Sequence, residues 1–290
     1  MADILLLGAS GQVGRELARS LLPLGKVNAF SRSQCDLSNK DELINIVGKL
    51  KPEIIVNAAA YTAVDKAETE VDAAMRINAE APGILAQEAG KLGALLVDYS
   101  TDYIFNGAKP DAYSENDEPD PINVYGRSKL AGLRAIEQSG CRHLVFRVSW
   151  VYGRHGNNFV KTMLRLASQK NELRVVADQW GSPTPADLIA DITAQALMMI
   201  RRGLEVEGVF NLAPDGETCW HHYAQTIFEH LSRLKACKTP EVYPVESKDY
   251  PTSAQRPANS RLCTDKIKNL FGFSLPEWEI PLRRIIEEAV

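Results

Sequence analysis

Ile4-Leu5-Leu6-Leu7-Gly8-Ala9-Ser10-Gly11-Gln12-Val13-Gly14 runs four apolar residues into a turn with glycines spaced G-x-x-G-x-x-G. So short an apolar run reads as a strand buried on both faces, ending in a tight turn that opens a helix. In a turn built to hold an anion, each glycine has a task. Gly8 allows the bend, Gly11 lets backbone approach a pyrophosphate, and Gly14 lets helix and strand pack closely. The helix from residue 12 to about residue 22 then aims free N–H groups and its positive dipole end at the phosphates. This spacing is a relative of the G-x-G-x-x-G dinucleotide fingerprint, and similar turns also serve packing alone. On the dinucleotide reading, Gly8, Ser10, Gly11, Gln12, Val13 and Gly14 contact the cofactor.

Outward from this turn, residues 26–30 read as a second strand ending at Ser31-Arg32. About twenty residues past the glycines, an NAD-selective fold places an acid on the ribose hydroxyls. A cationic fork stands there instead and suits a 2′-phosphate, so NADPH is expected, with NADH as the alternative. The competing reading of Arg32 is an ordinary solvated loop residue. Asp36 and Leu37 are counted with the cofactor contacts and lead into a helix over 40–50. Residues 53–57 form a third buried strand, followed at once by Ala58-Ala59-Ala60-Tyr61. Small residues at that point let a ring or diphosphate lie against backbone, and they serve tight helix–sheet packing equally well. Residues 63–93 are helical, with Pro82 at a kink or a helix start.

A fourth strand over 94–99 carries Tyr99 and runs into Ser100-Thr101-Asp102-Tyr103. Open α/β sheets place their chemistry at such carboxyl edges. A loop over 106–123 is long enough to be functional. Strands alternating with helices predict an α/β fold with a doubly wound parallel sheet. Tyr125 and Lys129 then fall at i and i+4, on one helix face and about 6 Å apart along the axis. A phenol with an ordinary pKa of about 10 is a poor acid–base group, and a neighbouring ammonium is expected to lower it. Thr101 can share a developing alkoxide through a hydrogen bond. By itself Y-x-x-x-K is also what an amphipathic surface helix shows.

Totals narrow the class. The 290 residues suffice for one large α/β domain with a smaller companion. A net charge of −4 argues against a nucleic-acid or anionic-membrane partner. Cys35, Cys141, Cys219, Cys237 and Cys263 are scattered without a C-x-x-C pair, as expected of reduced thiols in a cytoplasmic protein. The apolar start is too short for a signal peptide, and nothing approaches the roughly 18 apolar residues of a membrane span. His221 and His222 adjoin on different helix faces and suit no shared metal.

With the glycine turn, Tyr125-x-x-x-Lys129 resembles the extended short-chain dehydrogenase/reductase superfamily. Within it, the segments 57–68 (NAAAYTAVDKAE), 99–105 (YSTDYIF), 146–153 (FRVSWVYG), 156–159 (GNNF) and 256–262 (RPANSRL) resemble the dTDP-4-dehydrorhamnose reductases, nearly end to end. That resemblance implies a Rossmann-type sheet with a smaller, mostly C-terminal substrate-binding domain. Its expected bounds are 1–155, with about 185–215 returning, for the dinucleotide-binding domain and 156–184 with 216–290 for the other. The implied activity is NAD(P)H-dependent reduction of the C4 ketone of dTDP-4-dehydro-L-rhamnose, with Thr101, Tyr125 and Lys129 catalytic. Thr101, Asp102, Tyr103, Trp150, Asn158 and Arg256 are the implied substrate contacts. Some members hold a dimer through carboxylates on a divalent metal. Glu16 stands at one matching position, Asp187 replaces a usual glutamate, and the C-terminal partner is Glu287 or Glu288. A homodimer and Mg2+ on Glu16 are therefore carried as expectations. Two other readings stay open: another nucleotide-sugar reductase or epimerase of the superfamily, and a non-catalytic NADP-binding regulatory subunit.

Overall fold

Strand β1 (Ala2–Leu7) lies at the heart of the computed structural model, which describes residues 2–289. Ile4 and Leu6 face one core layer, Leu5 and Leu7 the other, and all four are fully buried. The chain continues through α1 (Gln12–Ser20), β2 (Gly25–Phe30), α2 (Lys40–Leu50) and β3 (Ile54–Asn57). Helix α1 stops short of residue 22 because Pro23 sits in a 3-10 turn over Leu22–Leu24. The predicted long helix over 63–93 is instead broken into α3 (Val64–Ala67), α4 (Val71–Met75), a π turn over Arg76–Glu80, and α5 (Ala81–Leu92). Pro82 lies in the first turn of α5, just after the π turn, which runs into α5 without a gap.

Next come β4 (Leu95–Thr101), α6 (Val124–Ser139) and β5 (His143–Val148). Every residue of β4 is buried, and it runs on to Thr101, so the chemistry-bearing hydroxyl is on the strand itself. After β5 the chain bends at Trp150, whose φ of 45° is left-handed, before β6 (Val151–Tyr152). The remainder comprises α7 (Phe159–Ala167), β7 (Glu172–Val176), β8 (Trp180–Gly181), β9 (Thr184–Pro185), α8 (Ala186–Arg201) and β10 (Gly208–Leu212). It closes with β11 (Thr218–Cys219), α9 (Trp220–Lys235), β12 (Glu241–Val245), α10 (Asp265–Phe271) and α11 (Glu279–Ala289).

Six of these strands form one parallel sheet in the order β10-β5-β4-β3-β1-β2. Helices cover both faces, as parallel strands require. Helices α1, α8 and α10 contribute Leu17, Ile189 and Phe271 to one layer, and α2, α5 and α6 contribute Leu43, Leu85 and Leu133 to the other. A third apolar cluster, with Tyr152, Met163, Tyr223 and Ile285, joins α7, α9 and α11. The order reverses between β1 and β3, opening a crevice at the strand ends where Gly8 and Ala58 meet. Among the described residues, no helix is long and apolar enough to cross a membrane.

Candidate active site

Closeness is what the glycine turn achieves. A Cβ at Gly8, whose φ is 77°, would stand 2.6 Å from the Ala59 nitrogen, and one at Gly14 would stand 2.0 Å from the Gly8 carbonyl oxygen. Neither contact leaves room for a side chain, so α1 and the segment after β3 close on the end of β1. Helix α2 is capped by Asn39, whose side chain accepts from the Glu42 N–H at 3.2 Å, but the N-cap of α1, Gly11, offers no side-chain bond. Its first N–H groups therefore face the cleft without an internal partner, which is what an anion-binding helix start requires.

That cleft, of ≈ 650 Å³, runs from Arg32, Cys35, Asp36 and Leu37 past Gly8, Ser10, Gly11, Gln12, Val13 and Ala58–Ala60. It ends between Tyr99–Tyr103, Tyr125, Lys129, Trp150 and Trp220. Most of the residues expected from the sequence thus share one cavity. Six lie outside its lining. Gly14 is buried beneath the turn, and the Ser31 hydroxyl donates to Gln34 Oε1 at 2.8 Å. The Tyr61 phenol donates to Glu70 at 2.7 Å. Asn158 caps α7 by accepting from the Lys161 N–H at 3.0 Å, and its amide donates to Gln12 Oε1 at 2.8 Å. Arg256 grips Asp65 with both nitrogens, at 3.2 and 2.6 Å, and so stands at the rim already paired.

Glu16 is the sixth. Its carboxylate meets Arg19 and Arg154, each at 3.5 Å; Arg154 also reaches Glu288 at 3.2 Å, and Arg284 binds Asp187. Guanidinium groups already answer these carboxylates, and no cluster of three or more His, Cys, Asp or Glu suited to a metal ion occurs among the described residues. With its carboxylates already paired, this donor set does not fit a dication and gives the Mg2+ expectation at Glu16 no support. Tyr99 lines the cleft with its ring only, since its hydroxyl lies 2.9 Å from Thr193 Oγ1 inside the core.

At the Tyr125 end of the cleft, α6 is pressed onto its neighbours through two glycines. A Cβ at Gly126 would stand 2.1 Å from the Tyr103 carbonyl oxygen, and one at Gly132 would stand 2.0 Å from that of Asn78 in the π turn. Asn123 caps the helix by accepting from the Gly126 N–H at 2.7 Å and ties it to the Arg256 segment by donating to the Gln255 carbonyl at 2.8 Å. Tyr125 and Lys129 line the cleft together, and the Tyr125 ring meets Tyr103 edge-on at 5.9 Å. Thr101 donates to Asp102 at 2.8 Å and also faces the Tyr125 hydroxyl. Burial pushes the Asp102 carboxyl up to about 6, and its second oxygen has no hydrogen-bond partner.

Two electrostatic facts depart from expectation. Burial holds the Tyr125 phenol above its ordinary value, reinforced by Asp102 and Asp98, which favours the protonated phenol. Meanwhile the Lys129 ammonium is engaged by Asp98 Oδ2 at 3.8 Å, with Asn57 donating to the other oxygen at 2.6 Å. Asp98 and Asn57 were not among the expected site residues, although a carboxylate inside an otherwise apolar strand is itself a signal. Trp220 was also missed; it stacks on Trp150 at 3.6 Å and walls that end of the cleft.

Comparison with known proteins agrees with this architecture. The RmlD substrate binding domain family matches residues 1–290. A dTDP-4-dehydrorhamnose reductase of Salmonella typhimurium is 45% identical, the match covering 99% of this chain and 97% of that protein. The crystal structure of the Bacillus anthracis dTDP-4-dehydrorhamnose reductase in complex with NADP superposes with a TM-score of 0.88 at 35% identity, covering 99% of both chains. A Clostridium acetobutylicum dTDP-4-dehydrorhamnose reductase structure gives a TM-score of 0.92 at 33% identity, again covering 99% of each. With the glycine cradle, the Tyr/Lys helix and full-length likeness in agreement, the chain belongs to the dTDP-4-dehydrorhamnose reductase family.

Proposed function

We propose that the chain is an NADPH-dependent oxidoreductase that reduces the C4 ketone of dTDP-4-dehydro-L-rhamnose to dTDP-L-rhamnose. One observation carries the reading: the uncapped, glycine-lined start of α1 opens into the cleft that also holds Tyr125, Lys129 and Thr101. A dinucleotide fits this cleft, because the glycine positions leave no space for a Cβ and offer backbone N–H groups instead. The α1 start would hold the diphosphate and the exposed Arg32 the 2′-phosphate. When bound, NADPH supplies the hydride. Tyr125 gives its proton to the carbonyl oxygen as alkoxide develops, and Thr101 orients that oxygen. Lys129 holds the nicotinamide-side ribose and the charge balance beneath the phenol. Trp150 and Trp220 flank the sugar, and Asp102, Tyr103 and Asn158 complete its surroundings. Arg256 takes the sugar-nucleotide diphosphate after release from Asp65.

The names of the similar proteins support this substrate, and NADP in the Bacillus anthracis structure supports this cofactor. The proposal extends to a dinucleotide-binding part (1–155 with about 185–215), a substrate-binding part (156–184 and 216–290), a homodimer and a cytoplasmic setting. It is tested by mixing the protein with NADPH and the dTDP-ketosugar. One dTDP-L-rhamnose is expected per cofactor oxidised; cofactor loss without that product, or no loss at all, contradicts it. For the cofactor end, Arg32→Ala is expected to lower kcat/KM for NADPH by about 10–100-fold and leave that for NADH in place, the loss of a charge-assisted contact. Steady-state kinetics with both cofactors check this, and an unchanged preference refutes the role of Arg32.

A further inference from the structure

Lys129 is sealed from water, its side chain 3% exposed, and a buried ammonium is tolerated only beside a compensating charge. That charge is Asp98, itself 5% exposed in the side chain and 3.8 Å away. The parallel register of β3 and β4 sets Asn57 beside Asp98, and the Asn57 amide fixes one carboxylate oxygen at 2.6 Å. Asn57 is held in turn by the Ala59 N–H, which donates to its Oδ1 at 3.3 Å, within the segment that lines the cofactor cleft. An anchored carboxyl, which burial pushes up and which Lys129 and Asn57 draw back towards its charged form, thus lies beside Lys129.

We propose that Asp98 is a positioning residue that pins the Lys129 ammonium one helical turn from Tyr125, setting the site for ketone reduction. The inference rests on the reductase reading above. Tyr125 shares the cleft with Thr101 from β4, with Asp102 and Tyr103 from the turn after it, and with Lys129 from its own helix, while Asp98 of β4 stands against Lys129. Further out, Glu68 accepts from the Val124 N–H, and Arg256 sits against Tyr103. A carboxylate near a phenol disfavours phenolate, and the same carboxylate shares the ammonium that would favour it. Both effects have one sign: with Asp98 present, the acid form persists to higher pH.

Asp98→Asn keeps the shape and removes the charge. In the full-length protein the alkaline fall of kcat/KM for ketosugar reduction is expected to move down by about one pH unit or more. NADPH affinity, read by fluorescence, is expected to weaken about threefold or more with Lys129 present and not at all in a Lys129→Met background. Melting curves verify folding, and Asp98→Ser replaces Asp98→Asn if the latter does not fold, with the same expected shift. An unmoved alkaline limb, or equal affinity changes in both backgrounds, overturns the proposal. Failure of the unsubstituted protein to oxidise NADPH with the ketosugar refutes the reductase reading instead, and the affinity cycle still decides the part played by Asp98.

Discussion

Tyr125→Phe is expected to lower kcat by about 10²–10⁴-fold, the usual contribution of a placed proton donor, while NADPH binding persists. The ring is held by its edge-on contact with Tyr103 and by the close seat of α6 at Gly126, neither of which needs the hydroxyl. What disappears is the one proton aimed at the reacting oxygen. Because burial and two carboxylates favour the protonated phenol, the unsubstituted protein starts from its acid form. Its reduction rate is therefore expected to fall on the alkaline side, and the phenylalanine variant to lose that limb. Stopped-flow measurement of NADPH oxidation beside equilibrium NADPH titration separates the two effects. Equal loss of affinity and rate would make Tyr125 a packing residue.

The second large effect belongs to the cofactor end. Gly14→Ala places a methyl group 2.0 Å from the Gly8 carbonyl oxygen, and backbone cannot swing aside as a side chain does. The cost is expected at or beyond the top of the ~1–3 kcal/mol range for overpacking, a melting shift of about 5–10 °C. NADPH affinity is expected to fall about tenfold or more, because moving Gly8 also moves the α1 start that faces the phosphates. Gly48→Ala is the control. It lies inside α2 with nothing within 4 Å of the added Cβ, so it is expected to be neutral or stabilising by about 0.5–1 kcal/mol. Thermal melts and cofactor titrations of both variants check the contrast; a Gly14→Ala protein that melts and binds normally would remove the packing argument.

Local patterns were legible because their physics is local. Four apolar residues running into spaced glycines specify a strand, a turn and a helix start, and a four-residue spacing specifies a shared helix face. The site's electrostatics were not legible, because they depend on pairs that only the fold assembles. Asn57 and Asp98 lie 41 residues apart and meet through strand register. Asp65 and Arg256 lie 191 apart and meet across the cleft rim. Lys129 was expected to lower the Tyr125 pKa, but burial first, and then Asp102 and Asp98, push that phenol the other way, and none of these can be read from helix spacing. The broken helix over 63–93 has the same origin. Its π turn presents the Asn78 backbone to Gly132 of α6, a requirement of tertiary packing. Carboxylates resembling a metal set proved to be arginine partners, because Arg154 and Arg284 arrive from distant segments.

The central claim is that hydride reaches C4 of the ketosugar while Tyr125 protonates the adjoining oxygen. NADPH deuterated at the transferable position of the nicotinamide, reacted with dTDP-4-dehydro-L-rhamnose, tests it most directly by NMR of the isolated sugar. The account predicts one deuterium at C4 of dTDP-L-rhamnose for each cofactor oxidised, with the transfer slowed by orders of magnitude in Tyr125→Phe. Deuterium at another carbon, or undiminished transfer in that variant, would contradict it.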